Sequence, residues 1–401
     1  MSVIRVGFVL GEIGWIGGTN YFRNLFSAIQ SLPNPKIQPV VFTGLKSDIS
    51  DFDGLAVVVR TRLLDRGSIF WFLYKIFMRV IPSRNFILYL ILKKHQIDLI
   101  SHTGELWRNC SIPSIGWIPD FQHFHLKHFF TRKDIDIINK SFLNRIYRSN
   151  AILLSSADAL NDLKIFYPDN KTPTFVLRFT SCMLSNSITE TNKHDLEKLY
   201  NLNKYWFHIP NQFWAHKNHN VIIEALYLLK QKGKDVLVIS TGSTTDYRNP
   251  DYFASVQNKI NEYGLTDNFK ILGIVPYSDV IALMRYSVAV INPSLFEGWS
   301  TTVEEAKSLG KSILLSDIPV HREQSPVRGH FFKANSAEQL AEEMMNTLVK
   351  FDPFVEEIII LENKSHLDER KRNFAKNYED IVIQLYEKHN LMINVKKTNF
   401  F

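Results

Sequence analysis

The sequence predicts an α/β protein of two domains, each an open parallel sheet covered by helices on both faces. Its 401 residues are more than one ordinary hydrophobic core holds. Short apolar runs alternate with longer amphipathic stretches in both halves, which is the pattern of strands connected by helices. Between the halves, residues 180–203 are polar and weakly periodic, as is typical of a linker.

Seven strands are predicted in the first half. They are residues 3–10, 38–42, 55–59, 98–101, 114–117, 151–154 and 175–177. Helical patterns lie between many of them, for example at residues 21–30 and 86–94. Because strands separated by helices return in the same direction, a parallel sheet is expected.

The second half repeats this alternation. Its predicted strands are residues 206–209, 236–240, 269–272, 288–291, 312–315 and 330–332. A helix at residues 221–230 separates the first two. Two such domains in tandem bind ligands in a cleft at the carboxyl ends of their strands.

A last helix is predicted around residues 368–387. Four large residues at steps of four, three and four indicate that it packs on one face: Phe374, Tyr378, Ile381 and Leu385. Residues 391–401 are expected to fray. The predicted boundaries are 1–190 for the first domain, 200–365 for the second, and 366–390 for a helix packing back toward the first.

The composition excludes several classes of protein. With 45% hydrophobic and 22% charged residues, the chain is globular rather than disordered. Two cysteines, Cys110 and Cys182, are too few for a disulfide framework and fit a reducing compartment. No signal peptide pattern and no stretch of eighteen apolar residues are found, so we expect a cytoplasmic protein.

The positive charge is concentrated in residues 60–94. Against one acid, Asp65, this stretch has eight basic residues: Arg60, Arg62, Arg66, Lys75, Arg79, Arg84, Lys93 and Lys94. Aromatic and aliphatic residues lie between them, as in a helix on an anionic membrane surface. The alternative is a pair of buried helices with a few basic residues facing solvent. Nucleic acid is not predicted as a partner, because no recognised binding motif accompanies the charge.

Two glutamates eight residues apart, Glu297 and Glu305, are the most informative feature of the second half. Glu297 lies on a loop beside Gly298, and Glu305 is predicted on the first turn of the following helix. Hydroxyl residues begin that helix: Ser300, Thr301 and Thr302. Thr301 and Glu304 fit a capping box, so the hydroxyls are explained by capping alone. A helix start is also a good site for a phosphate, which indicates a sugar attached to a phosphate as the ligand.

These segments together resemble the family 4 glycosyltransferases, retaining nucleotide-sugar enzymes of the GT-B fold. The resemblance covers nearly the whole chain, and the glutamate pair is its most specific part. It implies that Glu297 lies by the donor sugar and that Glu305 binds the ribose hydroxyls. The backbone near Gly298, Thr301 and Thr302 would face the diphosphate. A capped surface helix is the alternative explanation for this segment.

A second matching segment is IPNQFWAHKNH, residues 209–219. Family members commonly have an arginine and, five residues later, a lysine, both directed at the donor diphosphate. Lys217 matches the lysine, whereas Gln212 occupies the place of the arginine. This segment therefore has one formal positive charge fewer than the family pattern.

The first domain contains two more segments of this kind. Gly17 and Gly18 match a glycine-rich loop that contacts the diphosphate or the acceptor, although they do not form a GxGxxG fingerprint. The alternative is a strand-to-helix turn that needs positive φ. In WIPDFQHFH, Asp120 matches an aspartate near the donor sugar, Pro119 stands where the family has a histidine, and His123 is the alternative.

Two further predictions concern metal and the nucleotide base. Four histidines lie near one another in sequence, His102, His123, His125 and His128. No cysteine pair or third helical ligand accompanies them, so no metal is predicted. Gly242 with Ser243, and Val275 with Pro276, lie where the family contacts the base, largely through backbone.

The resemblance implies a retaining transferase that moves a hexose or deoxyhexose, mannose-like or rhamnose-like, from a nucleotide diphosphate. The acceptor would be a glycan or a lipid-linked molecule in cell-surface polysaccharide or lipopolysaccharide biosynthesis. Metal and other cofactors are not expected. The alternatives are another GT-B activity, such as nucleotide-sugar epimerisation, and an inactive sugar-nucleotide-binding partner subunit. Location on the inner face of the cytoplasmic membrane is one option within a cytoplasmic assignment.

Overall fold

The computed structural model describes residues 3–10, 16–80, 85–181 and 191–398. Residues 182–190 of the predicted linker, which include Cys182, lie outside the described residues. Contacts divide the chain into two units. The first unit comprises Met1–Phe121, Arg132–Phe179 and Glu369–Phe401, and the second comprises Gln122–Thr131 and Thr180–Asp368. Gln122–Thr131 thus belongs to the second unit, although its position in the sequence lies within the predicted first domain.

The first unit contains a parallel sheet with the strand order β3-β2-β1-β4-β5-β6-β7 among the described residues. Its strands are β1 Ile4–Val9, β2 Ile37–Thr43, β3 Val57–Arg60, β4 Leu99–Ser101, β5 Ser114–Ile118, β6 Ala151–Leu154 and β7 Thr174–Val176. The helices up to this point of the chain are α1 Ile16–Gln30, α2 Ile69–Val80, α3 Phe86–Lys94, α4 Gln122–His125, α5 Arg132–Arg148 and α6 Ala157–Phe166, of which α4 belongs to the second unit.

The second unit contains a parallel sheet with the strand order β10-β9-β8-β11-β12-β13 in the described part of the chain. Its strands are β8 Trp206–Ile209, β9 Leu237–Thr241, β10 Phe269–Gly273, β11 Val290–Asn292, β12 Ile313–Ser316 and β13 Gly329–Phe332. The remaining helices are α7 Lys193–Leu199, α8 His219–Gln231, α9 Tyr252–Glu262, α10 Tyr277–Tyr286, α11 Thr301–Leu309, α12 Pro319–Gln324, α13 Ala337–Lys350, α14 Pro353–Glu362 and α15 Lys364–Thr398.

This architecture confirms the predicted α/β fold class of two parallel-sheet units. Each predicted strand overlaps an observed one, because strands such as β6 are buried on both faces and are apolar at successive residues. In the second unit, helices α8 and α13 pack on the sheet through one large apolar core that includes Leu226 and Leu340.

Two helix boundaries differ from the prediction. Helix α1 begins at Ile16 instead of residue 21, so Gly17 and Gly18 lie in its first turn and not in a preceding loop. Helix α15 continues to Thr398, where fraying was expected from residue 391. Its predicted packing face is confirmed: the four residues at steps of four, three and four are all buried. Within the described residues, no helix is both long enough and apolar enough to cross a bilayer.

A buried group of charges holds the end of α11. Gly310 ends this helix with a φ of +69°. The next residue, Lys311, has a fully buried side chain, and its Nζ donates to Oε2 of Glu356 over 2.8 Å. Arg328 donates to the same carboxylate. Burial lowers the pKa of Lys311 to about 8, against the opposing effect of Glu356.

Replacement of Glu356 by Gln should therefore destabilise the protein. The change leaves Lys311 and Arg328 without their shared counter-charge, and breaking a buried ion pair from one side costs about 3–5 kcal/mol. Urea unfolding measures this loss. Asp317→Asn is the matched control, because its pair with Arg322 is exposed to solvent and should contribute little to stability. Equal effects of the two substitutions would contradict a structural role for the buried group.

Candidate functional site

The residues predicted to bind a ligand in the second unit follow the carboxyl ends of its strands. Gln212 and Lys217 follow β8, Gly242 follows β9, Val275 follows β10 and Glu297 follows β11. Parallel strands place their carboxyl ends at one edge of the sheet, where open α/β folds bind ligands. The sheet order therefore brings these separate segments of sequence to the same edge.

An ion pair between Lys217 and Glu297 lies at the centre of this edge. Lys217 Nζ is 2.6 Å from Glu297 Oε1, and the two side chains are only 18% and 10% exposed. Ser294 Oγ donates to the same carboxylate oxygen over 2.7 Å. Asn218 fixes the backbone after Lys217, since its Nδ2 donates to the carbonyl oxygens of Pro293 (3.2 Å) and Ala334 (2.8 Å).

Glu297 is a carboxylate at neutral pH. Burial, the largest single effect, would raise its pKa, but Lys217 together with His216 and His321 outweighs burial and holds the pKa at about 2. Two nearby histidines are uncharged at pH 7, because burial lowers the pKa of His216 to about 3 and that of His321 to about 4. Glu297 can therefore accept hydrogen bonds or stabilise positive charge, but it holds no proton to donate.

Buried amides connect this pair to the start of α11. Asn211, after β8, donates to Oδ1 of Asn292 at the end of β11 over 3.2 Å. Asn292 Nδ2 in turn donates to Ser300 Oγ over 2.8 Å. Thr302 Oγ1 donates to Asn211 Oδ1 over 3.1 Å. The hydroxyl of Thr302 is therefore used to position the loop that contains Gln212, and the backbone of Thr302 remains for a ligand.

The predicted capping box is wrong. Ser300 is the N-cap of α11, and its side chain accepts from Val303 N at 3.4 Å. Glu304 is buried and bonds elsewhere, accepting from Gln324 over 2.9 Å and from Lys307 over 3.2 Å. The surface-helix alternative is also wrong, because most residues of α11 are buried.

The start of α11 nevertheless keeps donors for an anion. Gln324 Oε1 accepts a hydrogen bond from the backbone N–H of Ser300 at 3.1 Å. The backbone N–H of Val303 donates to the side chain of the N-cap residue, Ser300. Because the first N–H groups of a helix have no intrahelical acceptor, those of Thr301 and Thr302 are the ones left to bind a ligand. This is the arrangement that favours a phosphate.

Glu305 is placed by a residue that sequence reasoning missed. It is the fifth residue of α11, beyond the predicted first turn, and is only 6% exposed. Its Oε1 accepts from the hydroxyl of Tyr277, the first residue of α10, at 2.6 Å. The signal available in the sequence was adjacency, because Tyr277 follows Val275 and Pro276, which were already assigned to ligand binding.

Gly242 allows three loops to meet. Its φ is +132°, and a Cβ there would lie 2.8 Å from the carbonyl oxygen of Asn211 and 2.9 Å from the amide nitrogen of Gln212. Its own N–H donates to the carbonyl of Gly273 over 2.8 Å. The loops after β8, β9 and β10 are thus in backbone contact, which places Gln212 and Gly242 together.

The structure assigns the other predicted residues to different units. Gly17, Gly18 and Asp120 belong to the first unit, and the two glycines are helical, so the alternative of a positive-φ turn is wrong. His123 belongs to the second unit, where it is buried with its ring 4.3 Å from that of Phe124.

The histidines do not gather into a metal site. His102 lies in the first unit, where Nε2 is 2.8 Å from the hydroxyl of Tyr21 and Nδ1 is 2.8 Å from Ser101 Oγ. Burial lowers its pKa to about 3. Among the described residues, no three His, Cys, Asp or Glu side chains are grouped as metal ligands.

The first unit also contains a cavity of about 740 Å³ beside α15. Its lining includes Cys110, Phe175, Leu385 and Met392. Asn150 and Pro173, which precede β6 and β7, place it toward the amino ends of those strands. None of the predicted site residues lines it.

Comparisons with known proteins match part of the chain to a known family. Residues 192–350 match the family model described as Glycosyl transferases group 1. The chain is 25% identical over 214 residues to the O-antigen chain mannosyltransferase RfbU of Salmonella typhimurium. That alignment covers 46% of this chain and 58% of RfbU.

Two solved structures of low sequence identity have a similar fold. Anabaena HepE in complex with UDP and glucose has a TM-score of 0.67 at 14% identity, covering 94% of this chain and 99% of HepE. WaaG, a glycosyltransferase involved in lipopolysaccharide biosynthesis, has a TM-score of 0.58 at 13% identity, covering 92% of this chain and 95% of WaaG. The chain thus has the GT-B fold, and its second unit contains a glycosyl transferases group 1 region that includes Lys217, Glu297 and Glu305.

Proposed function

We propose that this protein is a retaining glycosyltransferase that uses a nucleotide-diphosphate sugar as donor. One observation carries the proposal: the partly buried pair of Lys217 and Glu297 lies at the sheet edge where α11 begins. A cation and free helix N–H groups suit a diphosphate, whereas Glu297 and Glu305 suit sugar hydroxyls. The match of residues 192–350 to a glycosyltransferase family supports it.

The reaction breaks the bond between the anomeric carbon and the diphosphate oxygen. An acceptor hydroxyl forms the new bond on the same face of the sugar, and its proton passes to the departing diphosphate. Lys217 and the N–H groups of Thr301 and Thr302 stabilise the charge on that leaving group. We infer that these groups serve in place of a metal ion, so that transfer should continue in the presence of a chelator.

Glu297 acts in this scheme as an anion. With a pKa of about 2 it is ionised throughout the neutral range and cannot be the general acid. Its charge can stabilise the oxocarbenium-like centre, and its free lone pairs can accept from sugar hydroxyls. Glu305, held by Tyr277, is assigned to the ribose hydroxyls.

We infer a hexose or deoxyhexose donor and an acceptor in cell-surface polysaccharide assembly. The sequence relative RfbU is named as an O-antigen chain mannosyltransferase, which supports a mannose-like sugar. The fold similarity to WaaG is consistent with a lipid-linked or glycan acceptor. The absence of an arginine at Gln212 favours one rival, an inactive subunit that binds a sugar nucleotide.

Donor binding should depend on Glu305. A thermal-shift panel of UDP-, GDP- and dTDP-sugars identifies the donor, because a ligand specific for the folded state raises its stability. Glu305→Ala should weaken binding of that donor at least 10-fold, since the ribose loses a charged acceptor. Lys217→Met should reduce turnover by a similar or larger factor.

The matched control is Glu262→Ala, an exposed glutamate at the end of α9. Unchanged donor affinity and turnover in Glu305→Ala would contradict the assignment. If the wild-type protein binds the donor but neither transfers nor hydrolyses it, the inactive-subunit alternative is correct.

We propose further that α2 docks on an anionic membrane. Its residues at helical steps of three and four, Ile69, Phe72, Leu73 and Ile76, are 70%, 60%, 56% and 45% exposed. This contradicts the alternative of a buried helix for α2. An apolar helix face left in solvent is typical of an interaction site.

The charges around this face favour lipid over a protein partner. Among the described side chains of residues 60–94, five basic ones are exposed: Arg60, Arg62, Arg66, Lys93 and Lys94. The one acid of that stretch, Asp65, is buried and accepts from Lys46 N at 3.1 Å. Apolar side chains bordered by cations complement anionic headgroups above an acyl layer.

Replacement of Ile69, Phe72 and Leu73 by Ser should abolish binding to vesicles containing phosphatidylglycerol, as measured by co-sedimentation at low salt. Wild-type binding should weaken with added salt and on purely zwitterionic vesicles. Phe354→Ser, which removes an equally exposed apolar residue from the second unit, is the control. Failure of the wild type to bind, or a dimer that the triple variant dissociates, would contradict a membrane role.

A further inference from the structure

Arg248 is a buried cation in the loop that follows β9. Its side chain is 7% exposed. Nη1 donates to Gln122 Oε1 at 3.0 Å, and Nε lies 4.0 Å from Asp246 Oδ1, beyond hydrogen-bond distance. Within the described residues, Nε and Nη2 have no hydrogen-bond partner. A buried guanidinium with two unused donors is costly, and the cost is removed if an anion binds there.

Aromatic rings surround this guanidinium but do not accept hydrogen bonds from its N–H groups. Its Cζ lies 4.6 Å from the ring centroid of Trp214, 4.8 Å from that of Phe130 and 5.7 Å from that of Tyr247. Ring faces attract a cation but offer no conventional acceptor to its N–H groups. Asp246 is itself engaged, because Oδ2 accepts from Ala215 N at 3.1 Å and Oδ1 from Arg248 N at 2.9 Å.

The same contacts place Arg248 beside the donor site. The ring of Trp214, on which Arg248 lies, is 5.6 Å from the ring of His216, and Lys217 is the next residue. Both Lys217 and Arg248 are close enough to affect His216. Burial is the main cause of the lowered pKa of His216, and the charges of Lys217 and Arg248 lower this pKa further. Arg248 and Lys217 therefore lie near the same residue, His216.

Neither Lys217 nor Gln212 offers an unmatched positive charge to a diphosphate. Lys217 is already matched by Glu297, and Gln212 is uncharged. A nucleotide-diphosphate sugar carries two negative charges, and bidentate arginine contacts are well suited to phosphate oxygens. On this basis, and resting on the proposed function, we propose that Arg248 binds the donor diphosphate through Nε and Nη2 and supplies the charge that Gln212 lacks.

Calorimetric titration with UDP, GDP, inorganic pyrophosphate, uridine and guanosine tests this inference. Arg248→Gln should weaken binding of the preferred nucleoside diphosphate and of pyrophosphate by 10- to 100-fold, and leave the affinity for the nucleoside unchanged. Arg248→Lys should recover part of the loss, because it keeps the charge but not the two-pronged geometry. Arg322→Gln, which removes an exposed arginine, is the control.

The second arm relocates the charge. In the Arg248→Gln background, Gln212→Arg should restore at least 10-fold of the lost diphosphate affinity, because the loops of Gln212 and Gly242 are in contact. Melting temperature without ligand reports on folding. A purely structural role, in which Arg248 holds Gln122 and Phe130, predicts a lower melting temperature and no selective effect on diphosphates, and this result would overturn the inference.

The outcomes also separate this inference from the proposed function. If the wild type binds a nucleoside diphosphate and Arg248→Gln leaves the ratio of diphosphate to nucleoside affinity unchanged, only the role of Arg248 is wrong. If the wild type binds none of the phosphate-containing probes, the donor site itself is wrong and the inference is overturned with it.

Discussion

The partly buried ion pair of Lys217 and Glu297 is the interaction on which the rest of the site depends. Removing both charges from water is expensive, and such a pair is favourable only when other hydrogen bonds complete it. Here Ser294 completes the carboxylate, and Asn218 fixes the backbone after the lysine through two carbonyls. The pair stabilises the protein little by itself. It holds a cation and an anion in fixed positions before a ligand arrives.

The pair is positioned by amides that lie shortly before it in sequence, Asn211 before Lys217 and Asn292 before Glu297. Asn211 and Asn292 connect β8 to β11, and through Ser300 and Thr302 they connect both strands to α11. At its other end, α11 is held by the buried pair of Lys311 and Glu356 and by the half-buried Arg328. The direction of this helix, and hence of its N–H groups, is therefore set by contacts at both ends.

Much of the fold could be predicted because its physical cause is local. Strands buried on both faces are apolar at successive positions, so β6 was predicted with its observed ends. Helix α3 was also predicted with its observed ends. Glu297 and Glu305 could be singled out for a similar reason, since their spacing of eight residues is short and characteristic, and Lys217 was found from its own segment, residues 209–219. All three lie in the family-matched region.

What could not be predicted depends on contacts distant in sequence. Nothing near Glu305 indicates that Tyr277 holds it, and nothing near Gln122 indicates that this segment belongs to the second unit. The exposure of α2 was one of two open alternatives, because an amphipathic pattern does not say whether its apolar face is covered. Arg248 was missed because its significance lies in burial and in unused donors.

A crystal structure with the preferred nucleoside diphosphate tests the central claim most directly. We predict phosphate oxygens within hydrogen-bond distance of Lys217 Nζ and of the backbone N–H groups of Thr301 and Thr302, with the ribose hydroxyls on Glu305. Binding of the nucleotide away from this sheet edge, for example in the cavity beside α15, would contradict it. So would a nucleotide whose phosphates make no contact with Lys217 or α11.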